Sequence, residues 1–142
     1  MPPATRPRRG RAAWLDMGVH QARVDAGHGP GRTWLERAIA DGRYVGVLAV
    51  DGEEVLGGVG VTWLDLPPNA HTSVERRGCV LNMFVEPEYR RRGLARQLLE
   101  QALVVCRESG VDYVTLHASE FGRGLYESRG FTPTAEMRLS LR

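Results

Sequence analysis

The stretch from Cys79 to Cys106 constrains this chain more than any other. Cys79-Val80-Leu81-Asn82-Met83-Phe84-Val85 is an apolar run, and Glu86 to Gly93 is a polar turn. From there Leu94, Ala95, Leu98, Leu99, Ala102, Leu103 and Cys106 recur at steps of one, three and four. The spacing predicts a strand, a turn and an amphipathic helix that Gly110 closes. Arg90, Arg91, Arg92 and Arg96 crowd the start of that helix, where unpaired backbone N–H groups already carry partial positive charge. Each basic side chain there opposes the helix dipole by about 0.3–1 kcal/mol. Such a start suits an anion, phosphate above all. A solvated arginine patch on a surface turn would account for the charges equally well.

The rest of the chain supplies partners for this unit. Ala13, Trp14 and Met17 give a short helical stripe over Ala12–Val19, and the glycines and Pro30 of residues 20–31 predict a loop. Thr33-Trp34-Leu35-Glu36 has the form of a capping box and opens a helix that stops at Gly42. Tyr44–Val50 reads as a buried strand, and Asp51-Gly52 turns it into a second strand over 54–63. Gly57, Gly58 and Gly60 within that second strand signal a bulge or the close approach of another group. Residues 64–78 read as a long polar loop, Asp112–Ala118 as a strand parallel to 79–85, and residues 121–129 as a short helix ending at Gly130. Phe131-Thr132-Pro133 begins a last edge, and Glu136–Leu141 alternates as a final strand. The order predicts a mixed α/β fold with an antiparallel front and one parallel β-α-β crossover.

Composition narrows the function. A chain of 142 residues suffices for one domain with a core of its own. Residues 1–13 hold four arginines and no acid, so the remainder carries 15 basic against 17 acidic residues, a balance of −2. The lead 1–13 is read as disordered and basic, and residues 14–142 as a single, mildly acidic domain. That balance argues against a general nucleic-acid surface. No apolar run approaches the roughly 20 residues that span a bilayer. Cys79 and Cys106 lack metal-site spacing, so no metal is expected, and a reducing cytoplasmic setting fits two lone thiols. All 19 basic residues are arginine, which suggests a GC-rich, bacterial source.

Arg90-x-x-Gly93-x-Ala95, preceded by Val85-x-Pro87, resembles the [Gln/Arg]-x-x-Gly-x-[Gly/Ala] motif of the GNAT superfamily of N-acetyltransferases. About thirty residues on, Leu125-Tyr126-Glu127-Ser128-Arg129-Gly130-Phe131 resembles that family's closing Tyr-Glu-x-x-Gly-Phe signature. The likeness extends from about Thr33 to Leu141. It implies a GNAT-like, mainly antiparallel sheet with helices on both faces, and acetyl-CoA as co-substrate. It further implies that backbone groups of Arg92, Gly93, Leu94, Ala95 and Arg96 take the pyrophosphate. In this reading Arg90 holds the motif position, and Arg91 and Arg92 face the phosphates with their side chains. The backbone of Met83, Phe84 and Val85 matches the strand edge that pairs with the pantetheine arm. Tyr126 matches the tyrosine that protonates the departing thiolate, a transfer that a phenol of pKa near ~10 can make to a thiolate near ~8.5. A tyrosine packed on the sheet is the plainer alternative. Ser119 stands where the family usually carries a cofactor-contacting Asn.

Two departures accompany the resemblance. Cys79 falls where the histone-modifying branch has its basic Glu, which leaves Glu75, Glu120, His117 and His71 as candidates for the base. His117, on an apolar strand, reads more readily as a core histidine. The family's first strand has no counterpart, so Tyr44–Val50 would have an open edge, and a homodimer is an admissible assembly. The expected activity is acetyl transfer by direct attack to a primary amine of a small molecule, peptide or protein. The alternative is an acyl-CoA-binding module with little or no turnover.

Overall fold

The computed structural model describes residues 28–142. The basic lead, the Ala12–Val19 stripe and the question of the first strand lie outside the described residues. The described elements are helix α1 (His28–Ala40), strands β1 (Tyr44–Asp51), β2 (Glu54–Asp65) and β3 (Arg76–Val85), a 3-10 turn (Pro87–Tyr89), helix α2 (Leu94–Glu108), strand β4 (Val114–Leu116) and helix α3 (Glu120–Arg129). They form one four-stranded sheet in the order β1-β2-β3-β4. β1 with β2 and β2 with β3 are antiparallel, whereas β3 and β4 are parallel and joined by α2. This is the mixed sheet with one crossover that the element order predicts.

Alternation along β1 separates two cores. Val47 and Ala49 pack with Val59, Val61 and Val80 beneath Leu94, Leu98, Ala102 and Cys106 of α2. Tyr44, Leu48 and Val50 face the other way, onto Leu35 and Ala38 of α1. The helices therefore cover both faces. Leu98 and Leu99 are at most 1% exposed, and burial of each such leucine contributes roughly 1.5–3 kcal/mol. α3 lies beside α2, where Tyr126 packs with Leu99 and Leu103. Arg129 Nε to Glu100 Oε2 (2.5 Å) and Arg96 Nη2 to Ser128 Oγ (2.9 Å) tie the two helices together.

Several boundaries differ from the sequence reading. α1 begins at His28, so residues 28–31 are helical rather than loop; Pro30 is tolerated because first-turn N–H groups have no intrahelical acceptor. The expected loop 64–78 shrinks to residues 66–75, because β2 runs to Asp65 and β3 starts at Arg76. Ring contacts support the extra ladder: Arg76 lies over Trp63 and Arg77 over Tyr113. The shortened loop is structured, with the buried Thr72 hydroxyl donating to Asp112 Oδ1 and accepting from Val74 N. β4 covers only Val114–Leu116, not 112–118. The expected final strand over Glu136–Leu141 does not form: residues 131–142 run without a ladder partner among the described residues, and Met137, Leu139 and Leu141 are 92%, 81% and 93% exposed. Alternation prescribes a face for a strand but does not supply its neighbour.

Candidate active site

The site grows from a mismatch between β2 and β3. Gly58 pairs with Phe84 and Gly60 with Leu81, so β3 carries one more residue than β2 over this interval. The extra residue bends the strand as a bulge, and Asn82 there has φ +57°. Asparagine is among the few non-glycine residues that adopt this conformation readily. Its Nδ2 donates to the Tyr44 hydroxyl at 2.9 Å, which fixes the bulge to the α1 face. Gly57 completes the fit, because a Cβ at that position would lie 2.6 Å from the Phe84 carbonyl oxygen. The glycines foreshadow the bulge; Asn82 and Tyr44 are the positioning residues that the sequence reading missed, and an asparagine opposite a glycine-rich strand was the signal for them.

Past the bulge β3 loses its second neighbour. β4 pairs only with Gly78, Cys79 and Val80, so the β4-facing edge of Leu81–Val85 has no strand partner among the described residues. Met83, Phe84 and Val85 lie on this open edge, with their side chains packed into the three cores. Only their backbone is available to a ligand.

The turn that follows is held from both ends. Arg90 Nε donates to Val85 O at 3.0 Å, so this arginine ties the turn to the strand end. Arg92 lies over the Tyr89 ring at 5.7 Å, and a hydrogen bond to Glu54 pushes the Tyr89 phenol up to about 12. Arg91 has φ +65° and Gly93 φ +76°, so two left-handed residues bracket Arg92. Conformations of this kind direct backbone N–H groups into anion-binding concavities. α2 opens with no side-chain cap and no acid in its first turn, which leaves its first N–H groups to an external acceptor. A Cβ at Gly93 would meet nothing within 4 Å, so the space in front of the helix is open. Arg91 makes no side-chain hydrogen bond or ion pair among the described residues, whereas Arg96 is engaged by Ser128. Leu94 is buried in the core and Ala95 follows it, so both can offer only backbone.

Tyr126 projects from α3, 8% exposed, with its ring edge-on to Phe131 and against Gly122. Burial pushes its phenol above the ordinary value, and none of the described residues hydrogen-bonds to its hydroxyl. Ser119 caps α3, its Oγ accepting from Gly122 N at 3.1 Å. Cys79 is half-buried beside Thr115; desolvation raises its thiol although the Thr115 hydrogen bond opposes this.

The base candidates do not converge on one point. Glu120 is the exposed first residue of α3, Glu75 is exposed at the end of the 66–75 loop, and His71 stacks on Tyr113. The expected burial of His117 fails: β4 ends at Leu116, and the His117 side chain is 86% exposed and shares a 2.9 Å hydrogen bond with Glu136. Among the described residues no group of three or more His, Cys, Asp or Glu could hold a metal, and no helix is long and apolar enough to cross a membrane.

A sequence model of the Acetyltransferase (GNAT) family matches residues 10–131. This chain belongs to the GNAT family. It is 30% identical over 135 residues to the mycothiol acetyltransferase of Beutenbergia cavernae, covering 93% of this chain and 38% of that protein. It is 33% identical over 92 residues to human N-acetyltransferase 8, covering 63% of this chain and 39% of that protein. The chain thus spans about two fifths of the length of these relatives. Among solved structures, a GCN5-related N-acetyltransferase from Ralstonia eutropha JMP134 superposes with a TM-score of 0.80 at 32% identity, over 94% of this chain and 88% of that one. A protein from Clostridium acetobutylicum, described as a predicted acetyltransferase with acetyl-CoA, superposes with a TM-score of 0.81 at 23% identity, over 92% and 89% of the two chains. The GNAT-like sheet expected from the sequence is thereby confirmed as the family fold.

Proposed function

We propose that this protein is an acetyl-CoA-dependent N-acetyltransferase that acetylates a primary amine by direct attack. The observation that carries the reading is the uncapped, acid-free start of α2 next to the open edge of Leu81–Val85. A CoA thioester has one chemistry for each: phosphates for the N–H groups of Gly93–Arg96, and an amide-bearing arm for an unpaired strand edge. The description of the Clostridium acetobutylicum protein as carrying acetyl-CoA supports the same co-substrate. Arg91 and Arg92 add charge at the phosphates, and Arg90 positions the turn rather than the ligand. Ser119, engaged as a helix cap, keeps a hydroxyl proton free to donate.

In the reaction the amine nitrogen attacks the thioester carbonyl, a C–N bond forms, and the C–S bond breaks. Tyr126 gives its proton to the departing thiolate; its buried phenol remains protonated at neutral pH and so is in the required state. The ammonium of the acceptor loses its proton to water or to a carboxylate at the mouth of the site, Glu75 and Glu120 being the acidic candidates. Two free cysteines and an all-arginine basic complement support a bacterial, cytoplasmic setting. An acceptor screen with acetyl-CoA and a panel of amines, amino acids and peptides, followed by thiol release, tests the reading. At least one acceptor should give thiol and an acetylated product. Acetyl-CoA binding with no turnover across the panel would favour a binding module instead.

A further inference from the structure

A histidine at the end of an apolar strand would ordinarily pack inward, yet His117 is exposed and hydrogen-bonded to the exposed Glu136. Its place in the sheet gives this pair a use. β3 and β4 pair only from Gly78 and Val114 to Val80 and Leu116, so His117 stands where the two strands part. Val114 and Leu116 pack with Leu99, Leu103 and Tyr126 on the α2 and α3 face. Successive side chains of a strand point to opposite faces, so Thr115 and, one residue past the ladder, His117 take the other face. Cys79 lies opposite Thr115 there. Burial raises its thiol, the Thr115 hydrogen bond opposes the rise, and the Glu136 carboxylate adds to it. Cys79, Thr115, His117 and Glu136 thus gather on one face of the point of parting, and Tyr126 lies on the other.

We infer that His117 takes the proton from the acceptor's ammonium and that Glu136 is the residue positioning its ring. The inference rests on the acetyl-transfer reading. In that reading the phosphates lie at Gly93–Arg96 and the arm runs back along the open edge from Val85 to Leu81, which brings the thioester to the point where the strands part. Tyr126 attends the sulfur from the α2 and α3 face. The amine attacks from outside the plane that holds the carbonyl and the sulfur, and the face of His117 is the one those two helices do not occupy. Nε2 of His117 donates to Glu136 Oε2, so Nδ1 keeps its lone pair. Nδ1 takes an N–H proton from the ammonium, the freed nitrogen lone pair forms the C–N bond, and the C–S bond breaks as Tyr126 protonates the thiolate. Glu136 offsets the charge of the imidazolium. His117 is thus the first receiver of a proton that ends in water or on a carboxylate at the mouth of the site.

Steady-state kinetics on the full chain test it with two acceptors of one skeleton: a primary amine that releases thiol in the acceptor screen, and the same molecule with an aminooxy group in its place. At neutral pH the amine must lose a proton before it attacks, whereas the aminooxy nitrogen is already neutral. His117→Ala should lower kcat/KM about 10²–10⁴-fold for the amine and less than about tenfold for the aminooxy acceptor. Free imidazole should restore part of the amine rate. Both side chains are exposed, so the fold by circular dichroism and the acetyl-CoA affinity by calorimetry should be unchanged. Glu136→Gln, which keeps an acceptor for Nε2 but no charge, should show the same split with a smaller loss. Undiminished amine turnover in His117→Ala, or an equal loss with the two acceptors, would overturn the inference and leave acetyl transfer in place. A wild type that binds acetyl-CoA but turns over no amine would overturn the acetyl-transfer reading and this inference with it.

Discussion

Gly93 and Gly110 flank α2, one at each end, and they separate the cost of a backbone conformation from the loss of a ligand. Their φ values are +76° and +79°, and a Cβ at either position would meet nothing within 4 Å. Replacement by alanine therefore creates no clash at either end, and what remains is the left-handed conformation, about 1–2 kcal/mol for a residue with a Cβ. For a chain of this size that lowers the melting temperature by about 3–8 °C, and the two variants should fall by similar amounts. Acetyl-CoA should distinguish them. Gly93 lies at the proposed phosphate site, where a Cβ occupies space needed by the ligand and the N–H groups must keep their direction. Gly93→Ala should lose at least about tenfold in affinity, or about 1.4 kcal/mol, while Gly110→Ala binds as the wild type does. Titration calorimetry below both melting temperatures measures this. Equal affinity for the two variants would refute the placement of the phosphates at the start of α2, because both carry the same backbone cost and only Gly93 adjoins that site.

Other predictions follow from single contacts. Tyr126→Phe should keep acetyl-CoA affinity and stability, since no described residue bonds to the hydroxyl, and should lower kcat by about 10²–10⁴; a loss of affinity with unchanged kcat would assign Tyr126 to packing. Because burial raises the Tyr126 phenol, the acid stays protonated through neutral pH, and any alkaline fall in turnover due to it should lie above the range in which an ordinary phenol titrates. Gly57→Ala forces a Cβ to within 2.6 Å of the Phe84 carbonyl oxygen and should cost about 3 kcal/mol in denaturant unfolding; a neutral result would show that the bulge relaxes freely. Glu100 is held below its ordinary value by the Arg129 guanidinium. A depressed carboxyl contributes stability above its unfolded pKa and loses it as pH falls through the folded one. Glu100→Gln should therefore lower stability at pH 7 by a small amount, at most about 1 kcal/mol for so exposed a pair, and the difference from wild type should vanish as pH falls below the carboxylate range.

The sequence was most legible where one physical rule governed one segment. The apolar stripe of α2 follows from its period alone, and all six of its buried residues stood on the predicted face. The glycines of β2 announced a bulge because a strand has few other uses for them. Legibility ended where structure depends on a distant neighbour. Arg76 and Arg77 looked like loop because of their charge, yet the rings of Trp63 and Tyr113 accept their guanidinium groups and let the strand continue. His117 looked buried because Leu116 precedes it, but the ladder with β3 ends one residue earlier. The alternation of Glu136–Leu141 is real, but no strand among the described residues receives it. In the site, the turn and Tyr126 could be found from local motifs. The hold of Asn82 on Tyr44 spans 38 residues of sequence, and no local pattern encodes it.

The claim that everything else rests on is that acetyl-CoA occupies the open edge of β3 and the start of α2. Amide hydrogen exchange on the full chain, with and without saturating acetyl-CoA, tests it most directly. The account predicts slowed exchange at two separate places, the amides of Met83–Val85 and those of Gly93–Arg96, with little change in β1 or at the 66–75 loop. Protection confined to other elements, or no change at a concentration of about 1 mM, would contradict it.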